Sequence, residues 1–326
     1  MEAQRKAAAV LAALLWALLG ASYRTPNFII QTADPRLAEI FGKVAEKHRS
    51  ELAVAWTGKA MPNWFQPCVV TAQVAPQLGA GGATTFLFDQ GEVYGWRMTI
   101  QGSAERIQDS VLPHEITHMI LASHFRRPVP RWADEGAAST VEHPSEQAKH
   151  RQKLVEFLQS QRGIAFNRMF AMTEYPQDVM PLYAQGHSLA DYLIRLGGRQ
   201  RFVVYLGEGM RDKQWAAATK RYYGIQDLGA LQNTWLAWVA KGSPPLKPLE
   251  EQPAAIGQGP LLAANSPQPR PEPNLIYRAG NDSPKAPVVG RLVPVDGPEP
   301  PLRSYLSRPQ PVEQPRQIIL EWERRR

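Results

Sequence analysis

The chain has 326 residues, of which 44% are hydrophobic and 21% are charged, and its formal net charge at pH 7 is +7. This length and composition allow one domain with a sizeable core. The positive residues are scattered and form no basic stripe with interleaved aromatic residues, so we do not expect nucleic-acid binding. Cys68 is the single cysteine, which excludes an intramolecular disulfide, and the stability of the fold has to come from its core.

The N-terminal residues have the layout of a secretory signal peptide. Arg5 and Lys6 precede an apolar run over residues 7–19, and Gly20–Ser22 are small residues at its end. The run is shorter than the roughly 20 residues that a membrane span needs. We therefore predict a signal peptide over residues 1–21 and a secreted, periplasmic or cell-envelope protein. The alternative is an N-terminal membrane anchor that stays uncleaved.

Residues 22–242 are predicted to form one domain that begins with a small sheet. Runs of β-branched and aromatic residues predict strands at 27–31, 68–74, 84–88 and 92–101. Asp34 caps a helix after the first strand, and Asp89–Gly91 is a hairpin turn between the last two strands.

A His-Glu-Ile-Thr-His pentapeptide is the most informative pattern of the chain. Helix positions four apart lie on one face, so His114 and His118 can both offer imidazole nitrogens to one metal ion. Glu115 lies next to that face, where it can take a proton from a water that the metal activates. The apolar segment 111–125 supports a helix that either contains Pro113 in its first turn or is kinked there. The alternative is a pair of core histidines beside a surface glutamate.

A catalytic zinc site needs a third protein ligand and an open position for water. His124 has the outer spacing of the pattern H-E-x-x-H-x-x-G-x-x-H. Leu121 stands where that pattern needs glycine, so the helix should carry His124 away from the metal. Glu135, which follows a proline-containing turn at residues 128–130, could instead reach the metal from a second helix.

The two histidines followed by Trp132-x-x-Glu135-Gly136-x-Ala138 resemble the H-E-x-x-H … W-x-x-E-G-x-A arrangement of gluzincin zinc metallopeptidases. Similar arrangements occur in gluzincin aminopeptidases and in their smaller peptidase-MA-like relatives. The resemblance implies that Glu135 is the third zinc ligand. It also implies one Zn²⁺ per chain, a zincin-like fold and a peptide or protein substrate.

The resemblance implies further roles. Glu142 matches a family glutamate, two helical turns after the third ligand, that orients a ligand histidine; the alternative is a solvated helix glutamate. Residues 183–198 resemble the segment Y-x-x-G-x-x-L-x-x-Y-L, which assigns the hydrogen bond to the oxyanion to Tyr183, unless this is a half-buried core tyrosine. His187 could share that role or lie on the helix surface. The family binds peptides along an exposed edge strand before the metal helix, which would be Tyr94–Gln101, unless this is an ordinary core strand.

The sequence also departs from the family. Aminopeptidases carry a G-x-M-E-N segment whose glutamate reads the free amino terminus of the substrate, and Gly81–Phe86 occupies roughly that region without a glutamate. The sequence therefore leaves endopeptidase and exopeptidase action open.

Before Gly242, helical patterns cover about residues 145–161, 183–196, 212–222 and 226–240. After Gly242 the composition changes. Beyond Gly242 the chain carries 18 of its 29 prolines, which predicts an extended or disordered tail over residues 243–326. Within it, Leu275–Tyr277 and Ile318–Trp322 could be short docking strands. The whole pattern predicts an α+β fold, in which a small N-terminal sheet with an edge strand precedes a mainly helical half.

These patterns predict a zinc-dependent peptide-bond hydrolase. His114, His118 and Glu135 would hold the metal, and Glu115 would be the general base. One alternative is a metal hydrolase that acts on another kind of bond. The other is a binding or scaffold protein in which the metal site is structural.

Overall fold

The computed structural model describes residues 21–172, 174–249 and, for the backbone only, 316–322. It confirms the predicted α+β fold, because a sheet built mostly from N-terminal residues precedes a mainly helical half. The predicted signal peptide up to residue 20 and most of the predicted tail, including Leu275–Tyr277, lie outside the described residues.

The strands form one mixed sheet. They are β1 Ala21–Arg24, β2 Phe28–Thr32, β3 Cys68–Val74, β4 Gly81–Asp89, β5 Glu92–Gly102 and β6 Arg316–Trp322. Their spatial order is β1-β2-β3-β5-β4-β6. β2, β3 and β5 run parallel to one another, whereas β1 is antiparallel to β2 and β4 is antiparallel to both β5 and β6. The sequence patterns did not predict β1.

The hairpin of β4 and β5 joins the rest of the sheet through β5. Gln90 and Gly91 have φ angles of 48° and 78°, as two-residue hairpin turns of type I′ require. β5 then pairs with β3 on its other side and becomes an interior strand. The prediction that Tyr94–Gln101 is an exposed edge is therefore wrong. The strand that precedes the metal helix returns into the sheet, and β4 is the outer strand of the hairpin.

Eight helices longer than one turn lie among the described residues. They are α1 Pro35–Thr57, α2 Leu112–Phe125, α3 Arg131–Ser139, α4 Pro144–Gln159, α5 Phe166–Ala171, α6 Met180–Asp212, α7 Trp215–Tyr223 and α8 Leu228–Ala240. Asp34 caps α1 as predicted, because its carboxylate accepts the N–H of Arg36 at 2.8 Å. α6 is longer than predicted and bends at Gly198, whose φ of 78° is open to glycine.

One continuous hydrophobic core runs through the sheet and the helical half. α1 packs against the sheet and against α2, and the apolar side chains between them are fully buried, with Phe28, Phe41 and Trp56 the largest. In the helical half, the ring of Trp132 lies 4.4 Å from that of Phe170 between centroids. Each such side chain contributes about 1.5–3 kcal/mol on burial. α2 contacts both β4 and α3, which places the residues of the pentapeptide between the sheet and the helical half.

The described residues directly after Gly242 bond to the helical half. The indole N–H of Trp238 donates to the carbonyl of Pro244 at 2.8 Å, and the N–H of Leu249 donates to the carbonyl of Leu196 at 2.8 Å. Within the part of the chain that the structure describes, no helix combines the length and apolar character that crossing a membrane requires.

Candidate metal centre

A continuous helical segment leads into α2. Ser103 caps this segment, because its hydroxyl accepts a backbone N–H three residues on, and Ile107–Val111 form a π-helical turn. The N–H of Leu112 donates to the carbonyl of Ile107, five residues earlier. The next residue, Pro113, has no N–H and therefore no hydrogen bond to donate. The π turn therefore lets a helix that begins at residue 104 pass the proline just before the first histidine.

His114 and His118 lie one turn apart on α2 and share one face. Their ring centroids are 4.8 Å apart, with the ring planes at 76°. Both side chains are buried, with exposures of 0% and 1%. Two imidazoles cannot stay buried at this distance without polar partners, since each ring nitrogen would otherwise lose its hydrogen bonds to water.

Glu135 on α3 faces both rings. Its Oε2 lies 3.7 Å from Nε2 of His114 and 3.8 Å from Nε2 of His118, and one ligand atom from each residue lies within 4.8 Å of the others. This Oε2 is buried and has no hydrogen-bond partner among the described residues. A buried carboxylate oxygen that faces two imidazole nitrogens is costly unless a proton or a cation joins them. The group could hold a metal ion, and its donor atoms fit one.

Each of these histidines has a carboxylate behind its other ring nitrogen. Nδ1 of His114 lies 2.8 Å from Oε1 of Glu142, and Nδ1 of His118 lies 3.0 Å from Oδ1 of Asp134. A neutral imidazole that donates from Nδ1 has its lone pair on Nε2, the nitrogen that faces the third carboxylate. Burial opposes the charge on Glu142, but the hydrogen-bonded His114 and the nearby His150, whose Nε2 lies 3.7 Å from Oε2 of Glu142, outweigh burial and hold the pKa of the Glu142 carboxyl well below its ordinary value.

Glu142 reaches His114 from a turn and not from a helix. α3 ends at Ser139, so the predicted position two helical turns along the same face is wrong. The side-chain amide of Gln147 donates to the carbonyl of Thr140 at 3.2 Å and to that of Glu142 at 2.8 Å. These two bonds hold the turn after α3, and the turn brings the carboxylate to the histidine.

Glu115 is fully buried beneath β4. The hydroxyl of Thr84 donates to its Oε2 at 2.6 Å, while Oε1 has no hydrogen-bond partner in the described part of the chain. A Cβ added to Gly82 would lie 2.5 Å from Oε1, so a larger residue at this position would displace the carboxylate. Burial raises the pKa of Glu115 above its ordinary value, although His114 and His118 act in the opposite direction. A raised pKa suits a carboxylate that has to accept a proton near neutral pH.

Two tyrosines lie on the other side of Glu135. The hydroxyl of Tyr175 donates to Oε1 of Glu135 at 2.6 Å, and the guanidinium carbon of Arg131 lies 4.5 Å from the centre of the Tyr175 ring. The ring of Tyr183 packs edge-on against that of Tyr175, with centroids 6.2 Å apart. Burial, helped by the charge of Glu135, raises the pKa of both phenols, so both are neutral hydrogen-bond donors at physiological pH.

A close helix crossing fixes the distance between α3 and α6. A Cβ on Gly136 would lie 2.3 Å from the carbonyl oxygen of Gly186, and a Cβ on Gly186 would lie 2.5 Å from the carbonyl oxygen of Trp132. Neither position accepts a larger residue unless the helices move apart. Glu135 precedes Gly136, and Tyr183 lies one turn before Gly186, so this crossing sets how far Tyr183 lies from the carboxylate.

His124 and His187, the two further histidines that the sequence suggested for the site, both lie outside the cluster. α2 runs without a break past Leu121 to Phe125, which carries His124 away from the cluster, as predicted. His187 is fully buried and stacks on His150 at 5.2 Å between ring centroids, so the interpretation of His187 as a surface residue is wrong. Burial lowers the pKa of His187 to about 3, and the imidazole is neutral at physiological pH.

The sequence patterns did not identify three residues that contact the cluster or Glu115, namely Thr84, Asp134 and Tyr175. Asp134 directly precedes Glu135, and consecutive helix positions point about 100° apart. Its side chain can therefore lie near the same two histidines, so the sequence offered it as a partner of His118. Thr84 and Gly82 alternate onto the same face of β4. This pattern points to a contact with Glu115 only when β4 is already known to border α2. Tyr175 lies in a loop, where no periodicity marks it.

Comparisons of the chain with protein-family models, with curated proteins and with solved structures found no match. The resemblance to gluzincin metallopeptidases stays a prediction, based on the motifs around His114, Glu135 and Tyr183.

Proposed function

We propose that this protein is a zinc-dependent peptide-bond hydrolase of the gluzincin type. The observation that carries the proposal is the buried group of His114, His118 and Glu135, with the carboxylate of Glu115 beside it on the same helix turn. Two imidazoles and one carboxylate are a donor set that zinc takes in catalytic sites, where three protein ligands leave a fourth position open. A structural zinc site has four protein ligands, and the described residues offer three.

Bound zinc would supply Lewis acidity toward a substrate carbonyl and lower the pKa of water near it. Glu115 would accept the proton of the attacking water and pass it to the leaving amine. Thr84 supports this role, because its hydrogen bond to Oε2 fixes the carboxylate and leaves Oε1 for the incoming proton.

Tyr183 is proposed to donate a hydrogen bond to the oxygen that becomes negatively charged as the water attacks. A phenol can do this at neutral pH because its raised pKa keeps the proton in place. Tyr175, which already donates to Glu135, would hold the third ligand in orientation.

The test pairs two isosteric substitutions that separate chemistry from metal binding. Glu115→Gln should keep one zinc per chain and reduce peptide cleavage by roughly the 10²–10⁴-fold that a general base contributes. Glu135→Gln should lose zinc and activity together. The substrates would be a mixed library of unstructured peptides read by mass spectrometry, and hydrolysis would be compared with and without added zinc.

Wild-type turnover in Glu115→Gln would remove the proposed base. Zinc-loaded protein that cleaves no peptide but hydrolyses small esters or amides would assign the site to a different bond. Stoichiometric zinc without any hydrolysis would favour a structural site in a binding protein.

A further inference from the structure

β4 is the strand through which the sheet contacts the proposed general base. Thr84 and Gly82 lie on the same face of β4 and both adjoin the carboxylate of Glu115. Some backbone N–H and C=O groups of β4 do not bond to β5, and these point away from β5, toward the other side of the strand. An extended peptide added there would run along the strand that borders the metal centre.

This side of β4 is already taken by a segment from the far end of the chain. Arg316–Trp322 forms β6 and pairs antiparallel with β4 in a register that runs from Phe88↔Arg316 to Gly82↔Trp322. Thr84 is paired with Leu320. The backbone of residues 320–322 therefore lies opposite the two β4 residues that contact the base.

β4 has contacts to the sheet and the core that do not involve β6. It pairs with β5 from Gly81↔Gln101 to Asp89↔Glu92, and the ring of Phe86 lies 4.9 Å from that of Trp96 on β5. Phe86 is 3% exposed and Thr84 is fully buried. β4 is thus held by the hairpin and by the core, so β6 can leave without removing the contacts that position β4.

We propose that Arg316–Trp322 is a resident strand that occupies the peptide-binding edge of β4 and has to be displaced before another extended peptide can bind there. The reason is that a strand edge offers one row of backbone donors and acceptors, and two strands cannot use this row at the same time. The consequence for peptide cleavage rests on the proposed function. The competition for the edge does not, because it involves only backbone groups of β4 and needs neither metal nor turnover.

Competition can be measured in the full chain with two neighbouring proline substitutions, Ile318→Pro and Ile319→Pro. Successive residues of an outer antiparallel strand direct their N–H groups alternately to the neighbouring strand and to the outside. One substitution therefore removes a donor to β4 and the other removes a donor that faces away, which makes each the matched control of the other.

The probe is a fluorescent synthetic peptide with the sequence of residues 316–322, and its affinity for metal-free protein is measured by fluorescence anisotropy. We expect one proline variant to bind the peptide about tenfold more tightly than the wild-type chain does, since a tethered strand competes at a high effective concentration. The other variant should change the affinity less. A peptide with proline in place of Ile319 or its neighbour Ile318 tests whether binding uses backbone pairing.

Several outcomes would overturn the proposal. Equal peptide affinity in the wild type and both variants would show that β6 does not restrict the edge. No binding to any of the proteins would show that the edge accepts no separate peptide. Loss of cooperative thermal unfolding in both variants would make β6 a structural part of the sheet. Cleavage assays separate this proposal from the proposed function. Restricted peptide binding without hydrolysis contradicts only the hydrolase, whereas hydrolysis with unrestricted binding contradicts only the resident strand.

Discussion

Gly136→Ala tests whether the crossing of α3 and α6 positions the third metal ligand. The added Cβ would lie 2.3 Å from the carbonyl oxygen of Gly186, whereas ordinary contacts begin at 3.4 Å, so the helices have to separate by about 1 Å. Glu135 is the neighbouring residue and moves with α3. Overpacking costs about 1–3 kcal/mol, and the gain from replacing glycine in a helix is about 1 kcal/mol, so the free energy of unfolding should fall by up to about 2 kcal/mol.

The effect on metal binding should be larger than the effect on folding. A shift of about 1 Å takes the carboxylate out of ligand distance, and we expect zinc affinity to fall by about 10–100-fold, as for the loss of residues that support a ligand. Zinc affinity is measured by competition with a chromophoric chelator, and stability by denaturant unfolding of the metal-free protein. Gly79→Ala is the control, because no atom lies within 4 Å of a Cβ at that position. Wild-type zinc affinity in Gly136→Ala would refute the reasoning.

The other predictions concern the residues around the cluster. Tyr175→Phe should weaken zinc binding by about tenfold, measured by chelator competition. Tyr183→Phe should lower kcat in steady-state kinetics and leave the zinc affinity unchanged. The reverse pair of results would exchange the two roles. Gly82→Ala should keep zinc but lower kcat, because its Cβ would lie 2.5 Å from Oε1 of Glu115; unchanged kinetics would mean that the carboxylate is not confined. His187 has a folded-state pKa of about 3, below its ordinary value of 6.5, because it is buried. The unfolded chain therefore binds the proton first as the pH falls, and stability should decrease between about pH 6.5 and 3 by up to about 1.4 kcal/mol per pH unit. His187→Gln should flatten this part of the denaturation profile, and an unchanged slope would assign it to other groups.

The part of the site that could be predicted from the sequence depends on the spacing of residues that are close together along the chain. His114 and His118 share a face because four residues make about one helical turn, whatever the rest of the fold does. Glu135 could be proposed because the motif around it places it near the start of a second helix. Leu121 indicated in the same way that α2 would continue and carry His124 away, since a glycine is needed for the chain to turn back.

Features set by contacts between distant residues could not be predicted. The β4–β5 hairpin is visible in the sequence, but which of its strands pairs with β3 is decided by the packing of the whole sheet, and this is why Tyr94–Gln101 was assigned to the wrong position. Glu142 reaches His114 through a turn whose shape depends on Gln147. Tyr175 comes to Glu135 from a loop without any repeating pattern.

Elemental analysis of the metal bound to the purified wild-type chain and to Glu135→Ala, after both have been incubated with zinc and dialysed, tests the three-ligand site most directly. We predict one zinc ion per wild-type chain and a large loss of bound zinc in the variant. Wild-type protein without zinc, or an unchanged zinc content in Glu135→Ala, would contradict the site.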